Sequence, residues 1–423
     1  MPLTALKIYV VFLLTYAGMA AGRLPWLRVD RTGIALLGLI ALLGSQALTL
    51  DEIGARIDMP TLMLLFALML ISAQFVTSGF CDAVFARLGT TAGSPLRILG
   101  LTVAVSGGLA AFLANDILVF VATPILIDAV RQRGLDPRPY LIAFIAASNA
   151  GSAATIIGAP QTILIGQLGG LRLPTYLAAC GIPAMVALVI VFAVVGFIWR
   201  GKLALSAEGF QSPPPPPPVA VRRHDRNQTN KGLVALAALL VLFCTGLPKD
   251  VFSLPIAALL LINRKFTSRT MIAAVDWPML LLVACLFGVT GALGNTLGAS
   301  ALIDWLQDIH LLPDSLVVLA PLTLVMSCTI GNMPFVILLL QLWQDMPAGA
   351  LHGLALFSSL SGNLLLIGSL SNLIIAERAS ESGVNLRFWE FARSGIPITL
   401  ASMGFAVFWL YVTGFMPFLP VVD

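Results

Sequence analysis

Two stretches of this 423-residue chain gather small, polar and glycine residues where apolar helices should run on unbroken. The first is Ser148-Asn149-Ala150-Gly151-Ser152-Ala153-Ala154-Thr155-Ile156-Ile157-Gly158-Ala159-Pro160. The second is Ser361-Gly362-Asn363-Leu364-Leu365-Leu366-Ile367-Gly368-Ser369-Leu370-Ser371-Asn372. Ser148, Asn149, Ser152 and Thr155 in one, and Ser361, Asn363, Ser369 and Asn372 in the other, offer donors and acceptors. The glycines Gly151, Gly158, Gly362 and Gly368 permit opened backbone and close approach. A helix broken inside a bilayer has partial positive charge at its new N-terminus and free carbonyls at its new C-terminus. Anion and cation can then bind together without Lys or Arg. Hydrocarbon leaves no water for opened backbone, so such a segment persists only where it lines a protein cavity. Gly151 or Ser152 alone reads as small-residue helix packing. The two duplicated clusters together read as a binding site for a small solute or ion.

One carboxylate belongs with them. Of the 20 acidic residues only Asp116 falls at membrane depth, beside Asn115 at the tip of an expected hairpin. Asn332 stands in a second expected hairpin. A carboxylate at that depth costs about 2.5–3.5 kcal/mol or more, which argues for a role. Burial favours its neutral form. It can bind and release a proton or hold sodium, with Asn149 and Asn363 as further sodium ligands. It can also cap backbone N–H groups at the hairpin tip, and the roles can coexist. No Lys or Arg is expected at membrane depth, so a small neutral or weakly charged oxy-species fits better than a trianion. No metal centre is expected. His224, His310 and His352 are far apart, and the five cysteines form no CxxC pair and no disulfide framework.

These groups need a membrane scaffold. The chain is 58% hydrophobic and 10% charged, with mean hydropathy +0.96. Soluble proteins carry about 25% charge, so this is an all-α polytopic membrane protein. Apolar runs of about 20 residues read as spans. They fall near 5–22, 32–50, 60–80, 174–199, 232–247, 276–297 and 394–417, with a shorter run at 251–263. The first could pass for a signal peptide, but Arg23, Arg28 and Arg31 behind it argue that it is a retained span. The stretches at about 139–166 and 350–376 contain the interrupted motifs. Those at about 99–130 and 315–345 have polar or small residues at their middles and read as re-entrant hairpins; two tight ordinary spans are the alternative. Residues 200–231 hold an unbroken Pro213–Pro218 run among basic residues. Polyproline makes a stiff extended spacer, so this is a linker between residues 1–199 and 232–423.

Charge sorting sets the topology. With the linker in the cytoplasm, all but Lys7, Arg56, Arg172 and Lys249 of the 24 Lys and Arg fall in cytoplasmic loops. Both termini then face outward, in a bacterial inner membrane. This works only if the two hairpins re-enter on the side they came from. Each half has about five spans plus a hairpin, so the second repeats the first upside down, with the interrupted helices at the midplane. Local echoes agree. Asp58-Met59-Pro60 precedes one long span and Asp276-Trp277-Pro278 its partner, 218 residues later. Asn115 and Asn332 lie 217 apart, and Gly158 and Gly368 lie 210 apart.

The run of Asn115-Asp116, Thr123-Pro124, Ser148-Asn149, Thr155, Gly158 and Pro160 resembles the ion transporter superfamily. That group contains arsenite permeases, NhaD-type sodium/proton antiporters, and citrate and dicarboxylate carriers. The second motif, from Gly362 to Ile374, resembles the same family's repeat. The resemblance covers nearly the whole chain and is nearest the arsenite-permease and NhaD branch. It implies the inverted-repeat fold, a small-ion substrate and a homodimer. The chain departs from the family pattern at Leu365, where threonine is usual, at Leu370, where proline is usual, and at Thr162, where asparagine is usual. These changes remove polar ligands, chiefly from the second half, and count against a two-sodium dicarboxylate site.

The expected function is therefore secondary active transport of a small inorganic oxyanion or neutral oxyacid, arsenite- or silicate-like, coupled to protons or sodium. A sodium/proton antiporter and a sodium-coupled carboxylate carrier are the alternatives. No cofactor and no nucleic-acid partner are expected. An enzyme is not expected either. An aspartyl intramembrane protease needs two membrane aspartates, a serine type needs a base near the motifs, and there is no P-loop to drive transport with ATP. A passive channel remains open on sequence, although inverted repeats favour alternating access.

Overall fold

The computed structural model describes residues 3–21, 29–203, 222–294, 296–309 and 311–420. Pro213–Pro218, Arg23, Arg28 and His310 lie outside them. The first half contains α1 (Leu3–Ala21), α2 (Arg31–Gly44), α3 (Leu50–Arg56), α4 (Met59–Thr77), α5 (Phe80–Thr90), α6 (Pro95–Ala110), α7 (Asn115–Arg131), α8 (Pro137–Ser152) and α9 (Pro160–Leu168). It closes with α10 (Leu173–Ile198), which contains a π-helical turn at Leu177–Gly181. The second half runs α11 (Arg226–Cys244), α12 (Lys249–Leu261), α13 (Ser268–Ala273), α14 (Trp277–Gly294), α15 (Leu297–Asp308), α16 (Leu316–Thr329), α17 (Asn332–Leu342), α18 (Ala348–Ser361), α19 (Leu370–Glu381) and α20 (Phe388–Val412). Each helix of the first half thus has a counterpart ten places later.

The starts of these helices repeat because their caps repeat. Asp58 accepts from the Thr61 N–H at 3.2 Å at the head of α4. Asp276 accepts from the Met279 N–H at 3.0 Å at the head of α14. Thr49 and Thr267 cap α3 and α13 in the same way. Each side chain satisfies an N–H that the first turn leaves without a partner. The packing repeats too, with partners exchanged. α2 lies on α14 while α12 lies on α4; α7 lies on α19 while α17 lies on α9; α10 lies on α20. Such an exchange is what a two-fold between inverted halves produces.

Among the described residues six helices, α1, α4, α10, α11, α14 and α20, are long and apolar enough to cross a membrane. The protein is a multi-pass membrane protein. α4 and α14 form the centre, with Leu64, Leu65, Val283 and Phe287 fully buried. α10 and α20 carry apolar side chains outward, among them Val189, Phe197, Leu400 and Phe408. In a bilayer these face lipid.

Both stretches expected as hairpins fold as helix–turn–helix pairs. α6 turns into α7 through 111–114, and α16 turns into α17 through Ile330-Gly331. Gly331 has φ +102°, a conformation that suits glycine. Three details differ from the sequence reading. α2 is only 14 residues long, shorter than the run expected at 32–50 and than a full crossing, whereas α12, at 13, agrees with the shorter run expected at 251–263. The short helices α3, α5, α13 and α15 form in the segments beyond the ends of the expected apolar runs. Helix α11 also begins at Arg226, inside the expected 200–231 linker. Asp225 causes this, since its carboxylate accepts from the N–H groups of Asn227 and Gln228 and starts the helix early.

Candidate functional site

Both interrupted helices break where the motifs stand. α8 ends at Ser152 and α9 starts at Pro160; α18 ends at Ser361 and α19 starts at Leu370. Proline suits the first turn of α9, where its missing N–H costs no bond. Opened carbonyls need donors in an apolar interior, and side chains supply several. Tyr176 Oη donates to Ala153 O at 3.1 Å. Thr162 Oγ1 donates to Ile156 O and Ala159 O at 3.0 and 2.8 Å. In the second break Asn372 Nδ2 donates to Gly362 O and Leu365 O at 2.7 and 3.2 Å.

The breaks and the first hairpin tip meet in a buried amide network. Asn149 Nδ2 donates to Asn363 Oδ1 at 2.9 Å and to Asn372 Oδ1 at 3.0 Å. Asn115 Nδ2 reaches Asn149 Oδ1 at 3.3 Å and Ser371 Oγ at 3.2 Å. Ser371 Oγ donates to Asp116 Oδ1 at 2.5 Å. Asn363 Nδ2 donates to Ala146 O at 3.2 Å. Two amide oxygens, Asn115 Oδ1 and Asn332 Oδ1, are buried with no hydrogen-bond partner among the described residues. Buried acceptors of this kind call for a ligand or cation.

A cavity of about 30 Å³ lies among these groups, lined in part by Asn115, Asp116, Asn149, Asn332 and Ser369. A second cavity, of about 1330 Å³, adjoins it. The wall of this larger space includes Val76, Phe120, Asp276 and the Arg222–Asn227 segment after the linker, and Asp116 lines both cavities. The small space has room for a water or a small ion, and the larger one, which shares Asp116 with it, is walled in part by the segment after the linker.

The remaining expected residues hold the scaffold. Ser148, Ser152 and Ser361 bond carbonyls of their own helices at 3.0, 2.9 and 3.0 Å. Thr155 donates to Ala111 O, which ties the first break to the hairpin turn. A Cβ on Gly151 would overlap Gly107 of α6, and one on Gly158 would overlap Ser152 O. A Cβ on Gly362 would lie 3.3 Å from both Asn149 Nδ2 and Asn332 Nδ2, and one on Gly368 3.4 Å from Gly362 O. Gly151 and Gly158 are thus close packing contacts around the first break, whereas Gly362 and Gly368 have looser surroundings.

Three polar lining residues, Ser371, Gln161 and Arg31, were missed. Ser371 and Gln161 follow the breaks directly, so their place in the motifs was the available signal. Arg31 gave none. It was assigned to a cytoplasmic loop, yet its side chain lines the small cavity. The expectation that no Lys or Arg reaches the site is therefore corrected: the short helix α2 starts within reach of the second hairpin tip. Among the described residues no group of His, Cys, Asp and Glu could hold a metal, and all five cysteines are free.

Helical halves that exchange partners about a buried polar pocket, inside a multi-pass membrane protein, define the class of secondary transporters. The sequence profile of the citrate transporter family matches residues 10–353, and the chain belongs to that family. It is 29% identical to the 46 kDa membrane protein of Mycobacterium leprae, over 95% of this chain and 97% of that one. It is 24% identical to the silicon efflux transporter LSI3 of Oryza sativa, over 89% and 91%. The human P protein is 26% identical over 91% of this chain and 57% of its own length. In fold the chain is similar to the crystal structure of the YdaH transporter of Alcanivorax borkumensis, which has an unusual topology. The TM-score is 0.56 at 15% identity, over 99% and 100% of the two chains.

Proposed function

We propose that this transporter moves a small inorganic oxyanion or neutral oxyacid, arsenite- or silicate-like, by alternating access coupled to a proton or sodium gradient. The observation that carries the reading is the small amide-lined cavity with Asp116 in its wall and the large cavity beyond. A volume of about 30 Å³ has room for a water or a bare ion, so the cavity must widen to take an oxyacid and would have to widen much further for citrate. The similarity to a silicon efflux transporter supports a small oxyacid. Asp116 is the coupling group, and the unpartnered oxygens of Asn115 and Asn332 stand ready to complete a sodium shell. The residue at the place of Asp116 in the second repeat is Met333, which favours one cation site over two.

A sodium/proton antiporter with no other substrate is the second reading. The same carboxylate and free oxygens favour it, because they bind a cation by themselves. Flux in proteoliposomes, with a panel of oxyacids under separate pH and sodium gradients, decides between them. Gradient-driven oxyacid movement supports the first reading. Sodium-driven proton movement that no oxyacid alters supports the second.

A further inference from the structure

Arg31 gives the central cavity a positive charge that neither broken helix supplies. Its side chain lines the cavity with Asn115, Asp116 and Asn332. It lies over the second hairpin tip, where a Cβ built on Gly331 would meet Arg31 Nη1 at 2.8 Å. The described ion pairs join Arg138 to Asp136 and Glu390, Lys265 to Asp225, and Arg378 to Glu381, so none occupies this guanidinium. Asp30, its chain neighbour, accepts instead from the Gly33 N–H at 2.8 Å as the cap of α2. The Asp116 carboxylate is held by Ser371 on the far half. A guanidinium is a flat fork of five donors with no acceptor, and it fits two oxygens of an oxyanion at once.

We propose that Arg31 is the residue that selects charge, binding an inorganic oxyanion at the tip of the second hairpin while Asp116 takes up the coupling cation. This deepens the transport reading above and rests on it. Before loading, one guanidinium and one carboxylate share the cavity and balance each other. An anion docked on Arg31 ends that balance and leaves Asp116 uncompensated at membrane depth, where a bare carboxylate is unfavourable. Proton or sodium uptake on Asp116 restores it. Asp276, across the larger cavity, adds negative charge and strengthens the demand for a cation. Anion and cation therefore load together, one for one, without a second basic residue.

The test uses the purified full-length protein and reads binding by thermal stabilisation. The probes are selenite and phosphate as anions, with boric acid as a neutral oxyacid at the same pH. Wild type should bind at least one anion, and more tightly as sodium or proton concentration rises. Arg31→Gln should weaken anion binding by about tenfold or more, the loss of a charge-assisted contact. Boric acid binding should stay unchanged, and Arg31→Lys should fall between. Asp116→Asn should remove the cation dependence. Arg31→Gln that keeps wild-type anion affinity, or a wild type that answers only to boric acid, overturns the proposal. If Arg31→Gln does not fold, Arg31→Lys carries the comparison, and wild-type affinity in it for every anion counts against the guanidinium. Liposomes that move no oxyacid while the anion shifts persist would overturn the transport reading alone.

Discussion

Thr162 and Asn372 stand 210 residues apart at matching points just after the two breaks, and each bonds back to carbonyls its own break leaves open. Asn372 has one reach more. Its Oδ1 also accepts from Asn149 of the other half at 3.0 Å, whereas the shorter Thr162 stays in its own break. The substitution between the repeats thus gives the second break one cross-interface bond that its counterpart position in the first break does not make. The amide network that joins the halves hangs on Asn149 and Asn372.

Asn149 faces the small cavity, whereas Asn363 lies behind it and bonds Ala146 O. Asn149→Ala should therefore weaken substrate affinity more than Asn363→Ala. Loss of a hydrogen bond to a buried ligand costs about 1–3 kcal/mol, roughly 5- to 150-fold. Binding and melting measured on both purified variants check it. Lowered melting with unchanged affinity in both would make the network pure scaffold.

Asp116 is the one carboxylate shared by both cavities and bonded across the halves. Asp116→Asn keeps the shape and should fold, but gradient-driven flux should vanish or lose its dependence on the driving ion. Proteoliposomes under imposed pH or sodium gradients measure this. Normal coupled flux would reduce Asp116 to a cap.

Gly151 touches the backbone of Gly107, where α8 crosses α6. Gly151→Ala forces the two helices apart, and overpacking of this kind costs about 1–3 kcal/mol. The expected result is a clear loss of thermal stability in detergent. Gly108, one residue along, has open space for a Cβ, so Gly108→Ala should leave melting unchanged and serves as the control.

Asp225 lies outside the membrane and pairs with Lys265 at 2.5 Å. The Lys265 hydrogen bond, with the α11 N–H groups, holds its carboxyl below the usual carboxylate range. A depressed carboxylate stabilises the fold above its unfolded pKa of about 3.9, and that contribution disappears as pH falls through the lower folded value. Asp225→Asn should melt earlier than wild type near neutral pH, and the two curves should converge in acid. A gap that persists at low pH would assign the effect to helix capping alone.

The charge sorting also predicts sidedness. Single cysteines at Ser212 and Asp423, both outside the described residues, report the linker and the C-terminus. Labelling of whole cells with an impermeant thiol reagent should mark the second and spare the first. The reverse pattern would invert the topology.

The breaks and hairpins were legible in the sequence because glycine, asparagine and proline interrupt apolar runs in only a few ways. Gly331 with positive φ and Pro160 at the head of α9 are examples. The repeat was legible because caps such as Asp58 and Asp276 recur at one offset. Contacts between the halves were not. Nothing in the spacing of Asn149, Asn363 and Asn372 gives their distance, and Ser148 and Ser152 look like ligands until their bonds to their own helix are seen. Arg31 was hidden for another reason. Charge counting assigns a residue by its place in the chain, and a long side chain at the end of a short helix reaches several ångströms inward.

The repeats match in shape and differ in charge, since Asp116 faces Met333 across the approximate two-fold. A machine of two identical arms would look the same to an electric field in either posture. This one does not. In the proposed cycle Asp116 and Arg31 both travel with the first half and the methionine arm carries no charge, so voltage dependence would reside in the first half and reflect how far those two charges move relative to each other. Transmembrane voltage acts on each displaced charge at about 2.3 kcal/mol per 100 mV for a full crossing. On that reading a membrane potential would favour one direction of the cycle while the symmetric scaffold serves both.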